Sequence, residues 1–332
     1  MNKLVTLLTF TALLFSGCET IVEVDTPPHT PRLAITYTLA NQAPTPDYRA
    51  SYYDRGVFVS TSQSVLERKE LTGRGDATVE LLNEAGQIVE QFRSVAGQGY
   101  DWTTGRPDSL YGHYVPVRGF VGEPGRTYTL RASAPGVEAV EATLTLPENK
   151  AVIETGSFVA GPFNPLWNVR SGRLTVSFLD NASTTDYYVA TARALDRNGK
   201  RWGHVVRAYN DDPGSDIDLG RFQLSTDNSY NLHPFNDANS NGQRLTFSAD
   251  LELIYDGKFT TSSTGTNIPE MGYIEVVISR ITFDTYSFYQ SMKRYYDTEN
   301  SPFAEPAPLF SNVRQGFGIF GGATDVTYRI PL

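Results

Sequence analysis

The chain has a single cysteine, Cys18, in 332 residues. One thiol per chain excludes an internal disulfide framework and a multi-cysteine zinc site. Histidine is almost as scarce. His29, His113, His204 and His233 lie in four separate segments, so no local spacing builds an imidazole metal centre. Positive charge is in deficit too, with 28 Lys and Arg against 37 Asp and Glu and a net charge of -9. Without a basic run, the chain lacks the electrostatic footprint of a nucleic-acid binder. The apolar run from Leu4 to Phe15 falls well short of the roughly 20 residues that a spanning helix needs. What is present is 40% hydrophobic and 12% aromatic residues, enough for packed cores and against wholesale disorder. At about 150 residues per domain the length points to about two domains.

The N-terminus reads as an address. Lys3 precedes the Leu4–Phe15 run, which ends in Leu14-Phe15-Ser16-Gly17-Cys18. A charged start, a short apolar stretch and small residues before a lone cysteine are the layout of a signal peptide, residues 1–17, with a bacterial lipobox. In that chemistry the Cys18 thiol takes a diacylglyceryl group and the freed amine is acylated. Two or more chains give stable anchoring at about 0.8 kcal/mol per buried CH₂. The alternative is an ordinary secreted protein with one spare cysteine. Residues 18–31, with Pro27-Pro28 and Pro31, favour extended geometry and read as a tether.

Beyond the tether the pattern is mainly β. Leu33, Ile35, Tyr37 and Leu39 alternate along one face, and Asn83-Glu84-Ala85-Gly86 separates two strand-like runs as a hairpin turn. Further runs begin at Thr127 and after Pro135-Gly136, the latter with the mixed alternation of an edge strand. This spacing predicts an immunoglobulin-like β-sandwich over residues 32–147. Residues 148–332 predict a larger β-rich domain. Leu174, Val176 and Phe178 share a face, Asn198-Gly199 marks a hairpin, and Leu245 to Tyr255 keeps strict period two. One amphipathic helix follows, with Phe283, Tyr286, Tyr289, Met292 and Tyr296 as its stripe. Asp284 stands near its start and Lys293 and Arg294 near its end, as the helix dipole favours. Val326, Tyr328 and Ile330 predict a terminal strand.

Several motifs carry a chemical reading. Asp237-Ala238-Asn239-Ser240-Asn241-Gly242 matches the first half of a calcium loop, with oxygens of Asp237, Asn239 and Asn241 at alternate positions. The closing acid is absent, since Ser248 stands at the twelfth position, so a polar Asn-Gly turn is the competing reading and calcium the only cofactor suggested. Gly316-Phe317-Gly318-Ile319-Phe320-Gly321 matches the dinucleotide pattern. Too little chain follows for the required helix, and the glycines instead predict a tight path where Phe317, Ile319 and Phe320 plug a core. Arg74-Gly75-Asp76 reads as turn chemistry. Asp108-Ser109-Leu110 offers Ser109 as an O-glycosylation site. Trp102, Trp167 and Trp202 sit in or near polar loops. Tyr100, Trp102, Phe163 and Trp167 are the candidates for contacting a ligand or partner, against packing beneath loops. No nucleophile elbow or metalloprotease helix is present, and Asp211-Asp212 sits beside Pro213-Gly214 as a loop. No catalytic residue is therefore assigned.

The C-terminal third carries a resemblance. Ile278-Ser279-Arg280-Ile281, the Tyr-rich helix, Pro302-Phe303-Ala304-Glu305-Pro306 and Ser311-Asn312 through Gly318-Ile319-Phe320-Gly321 occur in order, after Pro234-Phe235-Asn236-Asp237. Together they resemble the Bacteroidota lipoproteins grouped as domain of unknown function 4249. The resemblance implies an outer-membrane setting, cell-surface or periplasmic, and a TonB-dependent transporter as partner. It supplies no catalytic residues. The expected role is a non-enzymatic accessory subunit that captures a ligand or acts as a lid. A structural or adhesion lipoprotein is the alternative, and a hydrolase assembled only by the fold is a third. The expected contacts are the bilayer through acylated Cys18, the transporter and an unidentified small ligand, with no nucleic acid.

Cys18 precedes both expected cores, so no packing should depend on its thiol. Cys18→Ala is expected to leave folding intact and abolish membrane retention. Cell fractionation beside fatty-acid probe labelling checks this, and an unlabelled wild type would overturn the lipidation.

Overall fold

The computed structural model describes residues 28–43, 56–64, 73–95, 112–164, 169–207, 222–225, 232–255, 261–262, 265–266, 270–299 and 307–332. Cys18, Tyr100, Trp102, Ser109, Trp167, Asp211-Asp212 and Pro302–Pro306 lie outside them. The described residues are mainly β. In chain order the strands are β1 (Leu33–Ala40), β2 (Val57–Thr61), β3 (Thr78–Asn83), β4 (Ile88–Ser94), β5 (His113–Pro116), β6 (Thr127–Ser133), β7 (Val140–Thr145), β8 (Val152–Asn164) and β9 (Val169–Leu179). They continue as β10 (Tyr187–Asp196), β11 (Arg201–Arg207), β12 (Leu224–Ser225), β13 (Phe235–Asn236), β14 (Arg244–Tyr255), β15 (Thr261–Ser262), β16 (Gly265–Thr266) and β17 (Met271–Ile281). The helix α1 (Phe283–Glu299) and β18 (Phe317–Pro331) complete the order. These elements belong to the unit formed by Pro31–Ser62 and Glu70–Leu332.

One sheet path runs β7-β6-β3-β4-β5-β2-β1-β18-β17-β10-β11-β14-β9-β8, with β12 and β13 added to β10. The two halves of the chain meet where β18 lies parallel to β1, with Ala34 opposite Phe317 and Ala40 opposite Ala323. On its other edge β18 runs antiparallel to β17, from Tyr273 opposite Pro331 to Ile281 opposite Ala323. Both outer strands return to it. Gly316 touches Val140 of β7, and Gly156 of β8 packs on Tyr328 and Ile330.

Local pattern explains much of this. Leu33, Ile35, Tyr37 and Leu39 are all buried in β1, as their alternation requires. The β3–β4 hairpin closes at Gly86, at φ 74°, with the Asn83 side chain accepting from the Ala85 and Gln87 N–H groups. The β10–β11 turn uses Asp196 similarly, accepting from Asn198 and Lys200. In β14, Phe247, Ala249, Leu251 and Leu253 face inward. Mixed alternation after Gly136 marks β7, which ends the sheet path.

Three apolar clusters result. The first joins Leu33, Ile35, Val59, Leu81, Leu130 and Leu144 and takes Val313 and Phe320 from the C-terminal region. The second joins Leu174, Phe178, Tyr188, Leu251, Val276 and Ile330. The third, under α1, joins Val189, Ile281, Phe288, Tyr289, Ile319 and Ala323. Strand β18 enters all three.

Several expectations need correction. The terminal strand begins at Phe317, not near Val326, and includes the Gly-rich segment. A Cβ on Gly318, at φ 107°, would lie 2.0 Å from the Ile35 carbonyl oxygen. The glycine is there so that two backbones can touch, which is the tight path expected of it. Ile319 and Phe320 are buried as expected, but Phe317 opens the strand and is 46% exposed. Of the expected stripe, Tyr289 is buried and Tyr286 and Met292 pack beside it, joined by Thr285, Phe288 and Ser291, while Phe283 is 57% exposed and Tyr296 is exposed as well. Residues three apart fall about 60° short of a full turn per step, so a period-three stripe winds off the contact face. The helix also continues to Glu299, leaving no base in its last turn. Trp202, one residue into β11 and close to the β10–β11 turn, is buried and packs on Tyr255, which is the packing reading.

Side chains then lock the joint between the halves. Asn149 donates to the carbonyls of Ile278 and Thr324, and Thr324 Oγ1 donates to the Pro147 carbonyl. Asn41 pairs with both the N–H and the C=O of Asp325. Asn312 does the same for Phe320 and also donates to Asp284 in the first turn of α1. Thr282 caps the helix by accepting from Thr285 N–H.

Candidate functional site

Asp180 directly follows β9, Asp186 directly precedes β10, and Asp237 directly follows β13. Strand pairing brings these ends together. Tyr187 of β10 sits opposite Asn236 of β13, and Tyr188 sits opposite both Phe235 and Arg280. One oxygen from each of the three carboxylates then lies within 4.8 Å of the others. All three residues are buried, Asp237 at 0% exposure, Asp186 at 1% and Asp180 at 5%. Among the described residues this is the one group of three or more His, Cys, Asp or Glu with metal-ligating geometry.

Its polar contacts are specific. The Tyr188 hydroxyl donates to Asp180 Oδ1 at 2.6 Å, with Asp186 Oδ2 at 3.1 Å. Gly242 N–H donates to Asp180 Oδ2, and Asp186 N–H donates to Asp237 Oδ1. Arg280 Nη2 stands 2.5 Å from Asp186 Oδ1. Asp237 Oδ2 has no hydrogen-bond partner. Burial, and after it the neighbouring Asp180 and Asp186 carboxylates, push the Asp237 carboxyl up to about 6, against the favourable Asp186 N–H. The Tyr188 hydroxyl is raised, first by burial and then by the Asp180 carboxylate it bonds. The donor set is all oxygen.

The sequence-predicted calcium loop is placed differently from its motif. Asp237 points into the cluster, but Asn239 and Asn241 are exposed, and the Asn241 amide donates to the Thr184 carbonyl. The three do not converge. Asp180 and Asp186, which no motif marks, replace them. Phe163 lies on β8, 44% exposed, with the Arg170 guanidinium 5.6 Å from its ring centre. His113 is in β5 beside Phe58, and burial lowers its pKa. His204 is in β11, and His233 donates its N–H to Ser225. Arg74 and Asp76 form a two-bond ion pair with each other, and Arg74 also donates to the Pro135 carbonyl.

Other buried acids serve the fold. Glu90 accepts from the N–H groups of Gln91, Val117, Arg118 and Phe120. Glu275 takes Arg193 from β10 and Arg329 from β18 across the ladder. The Asp180–Asp186–Asp237 group differs in carrying three acids against one base.

A family model described as Domain of unknown function (DUF4249) matches residues 54–329. The chain belongs to this family. No curated protein matches it. Within this DUF4249 chain, the Ser311-Asn312 to Gly321 stretch that carried the resemblance is the segment where Asn312 brackets Phe320 and β18 begins.

Arg280 is the only base contacting Asp186 among the described residues, and breaking a buried pair leaves an uncompensated charge. Arg280→Gln is expected to lower unfolding free energy by about 3–5 kcal/mol, and adding Asp186→Asn to recover part of it. Denaturant unfolding of both variants measures this.

Proposed function

We propose that this DUF4249 chain is a non-enzymatic lipoprotein of the outer membrane, acting as a ligand-capturing or lid-like subunit of a TonB-dependent transporter. The observation that carries the reading is the Leu4–Cys18 segment, whose apolar run ends in small residues before the chain's one cysteine. An acylated Cys18 would hold a β-rich body at the membrane surface by a Pro-rich tether. Among the described residues, no helix is long and apolar enough to cross a membrane.

Two features of the body support a binding role over an enzymatic one. The three clustered carboxylates are too buried to meet a substrate. Strand β8 ends the sheet path and presents exposed Val152, Val159 and Phe163. An open strand edge with exposed apolar side chains is a natural place for a protein contact.

At native expression, the protein is expected to co-purify from detergent-solubilised outer membrane with a β-barrel transporter. Recovery without any barrel companion would contradict the proposal.

A further inference from the structure

The carboxylates of Asp180, Asp186 and Asp237 set a balance of charge that the protein alone does not close. Three buried acids face one base, Arg280, whose side chain is itself mostly buried. Removing carboxylates from water costs several kcal/mol per ion unless each charge is met. With all three ionised, the group retains two negative charges after Arg280 is counted.

The hydrogen bonds leave the same gap. Asp180 Oδ2 has Gly242 N–H, Asp237 Oδ1 has Asp186 N–H, and Asp186 Oδ1 has its ionic contact with Arg280. Asp180 Oδ1 and Asp186 Oδ2 both face the Tyr188 hydroxyl, which owns one hydrogen and can satisfy one of them at a time. Asp237 Oδ2 has no partner although the residue is fully buried. A buried oxygen of this kind calls for an unseen donor or an ion.

We propose that Asp180, Asp186 and Asp237 bind one calcium-class divalent cation. Calcium takes oxygen ligands at about 2.3–2.6 Å, so ligand oxygens on opposite sides of the ion stand about 5 Å apart. The observed limit of 4.8 Å between the three donors fits that span. Two positive charges match the two left after Arg280. Magnesium is the poorer match, because it demands near-octahedral geometry at about 2.0–2.1 Å and is usually held by one or two carboxylates, not three. The ligands sit at the ends of β9, β10 and β13, beneath two turns. Those turns press together where Gly242, at φ 72°, meets Ala182. A cation there would tie three strand ends together, a structural role separate from the transporter partnership.

The test uses full-length protein in detergent, stripped with EDTA and then given calcium chloride alone. Calcium is expected to raise the unfolding midpoint by several degrees, and calorimetry to find about one ion per chain. Terbium should bind in its place and give emission sensitised by Tyr188, which calcium displaces. Asp237→Asn keeps the Oδ1 acceptor for Asp186 N–H and removes the charge, and should weaken binding by about tenfold or more. Asp180→Asn serves as a second variant. A wild type with neither a midpoint shift nor displaceable terbium emission in millimolar calcium overturns the site, and leaves a proton shared with Asp180 as the occupant. A folded Asp237→Asn that binds as tightly as the wild type overturns it as well. Transporter co-purification is read separately and decides nothing here.

Discussion

The parallel pairing of β1 with β18 is the contact on which the rest of the fold depends. It joins the strand at the start of the β-rich body to one at the chain's C-terminal end, and so turns two runs of hairpins into one sheet. Phe320 goes to the core of the first half, Ile330 to the core of the second, and Ile319 and Ala323 to the cluster under α1. Fully burying a Phe or Ile side chain is worth about 1.5–3 kcal/mol. Three separate cores therefore draw on a single strand. The close approach requires glycine at 318, where any side chain would strike the Ile35 carbonyl.

Polar side chains finish this joint. Asn41, Asn149 and Asn312 each donate an amide to a backbone carbonyl on β18. Glu275 is paired across two ladders, to Arg193 and Arg329. The carboxylate cluster lies one strand further on, where β10 carries Tyr188 and β17 carries Arg280. Its acids are held by the same strand pairing that builds the second core, so its geometry is rigid. Three acids meet one base there, whereas Glu90 has four N–H donors and Glu275 two arginines.

Legibility in the sequence followed the range of the interaction. Alternation in β1 and β14 and the turn residues Asn83, Gly86, Asn198 and Gly199 are local signals, and they placed strands and hairpins well. The start of β18 is not legible, because the glycines announce a tight path but not the β1 backbone that Gly318 approaches. The contact face of α1 is legible only in part: Tyr286, Tyr289 and Met292 reach it, but Thr285 and Ser291, small and polar, share it. In the site, Asp237 was visible within a calcium-like motif. Its true companions were not, since the Asp186–Asp237 contact spans 51 residues and the Asp180–Gly242 contact 62. An acid placed just outside an apolar strand was the one available hint.

If β18 makes the two cores a single cooperative unit, native-state hydrogen exchange shows it most directly. The protected amides of β6 in the first core, of β17 in the second and of the β1–β18 ladder should all exchange through one opening with one free energy, equal to that of global unfolding. A lower-energy opening of β3, β4 and β6, with β10 and β17 still protected, would contradict the account and make the halves independent.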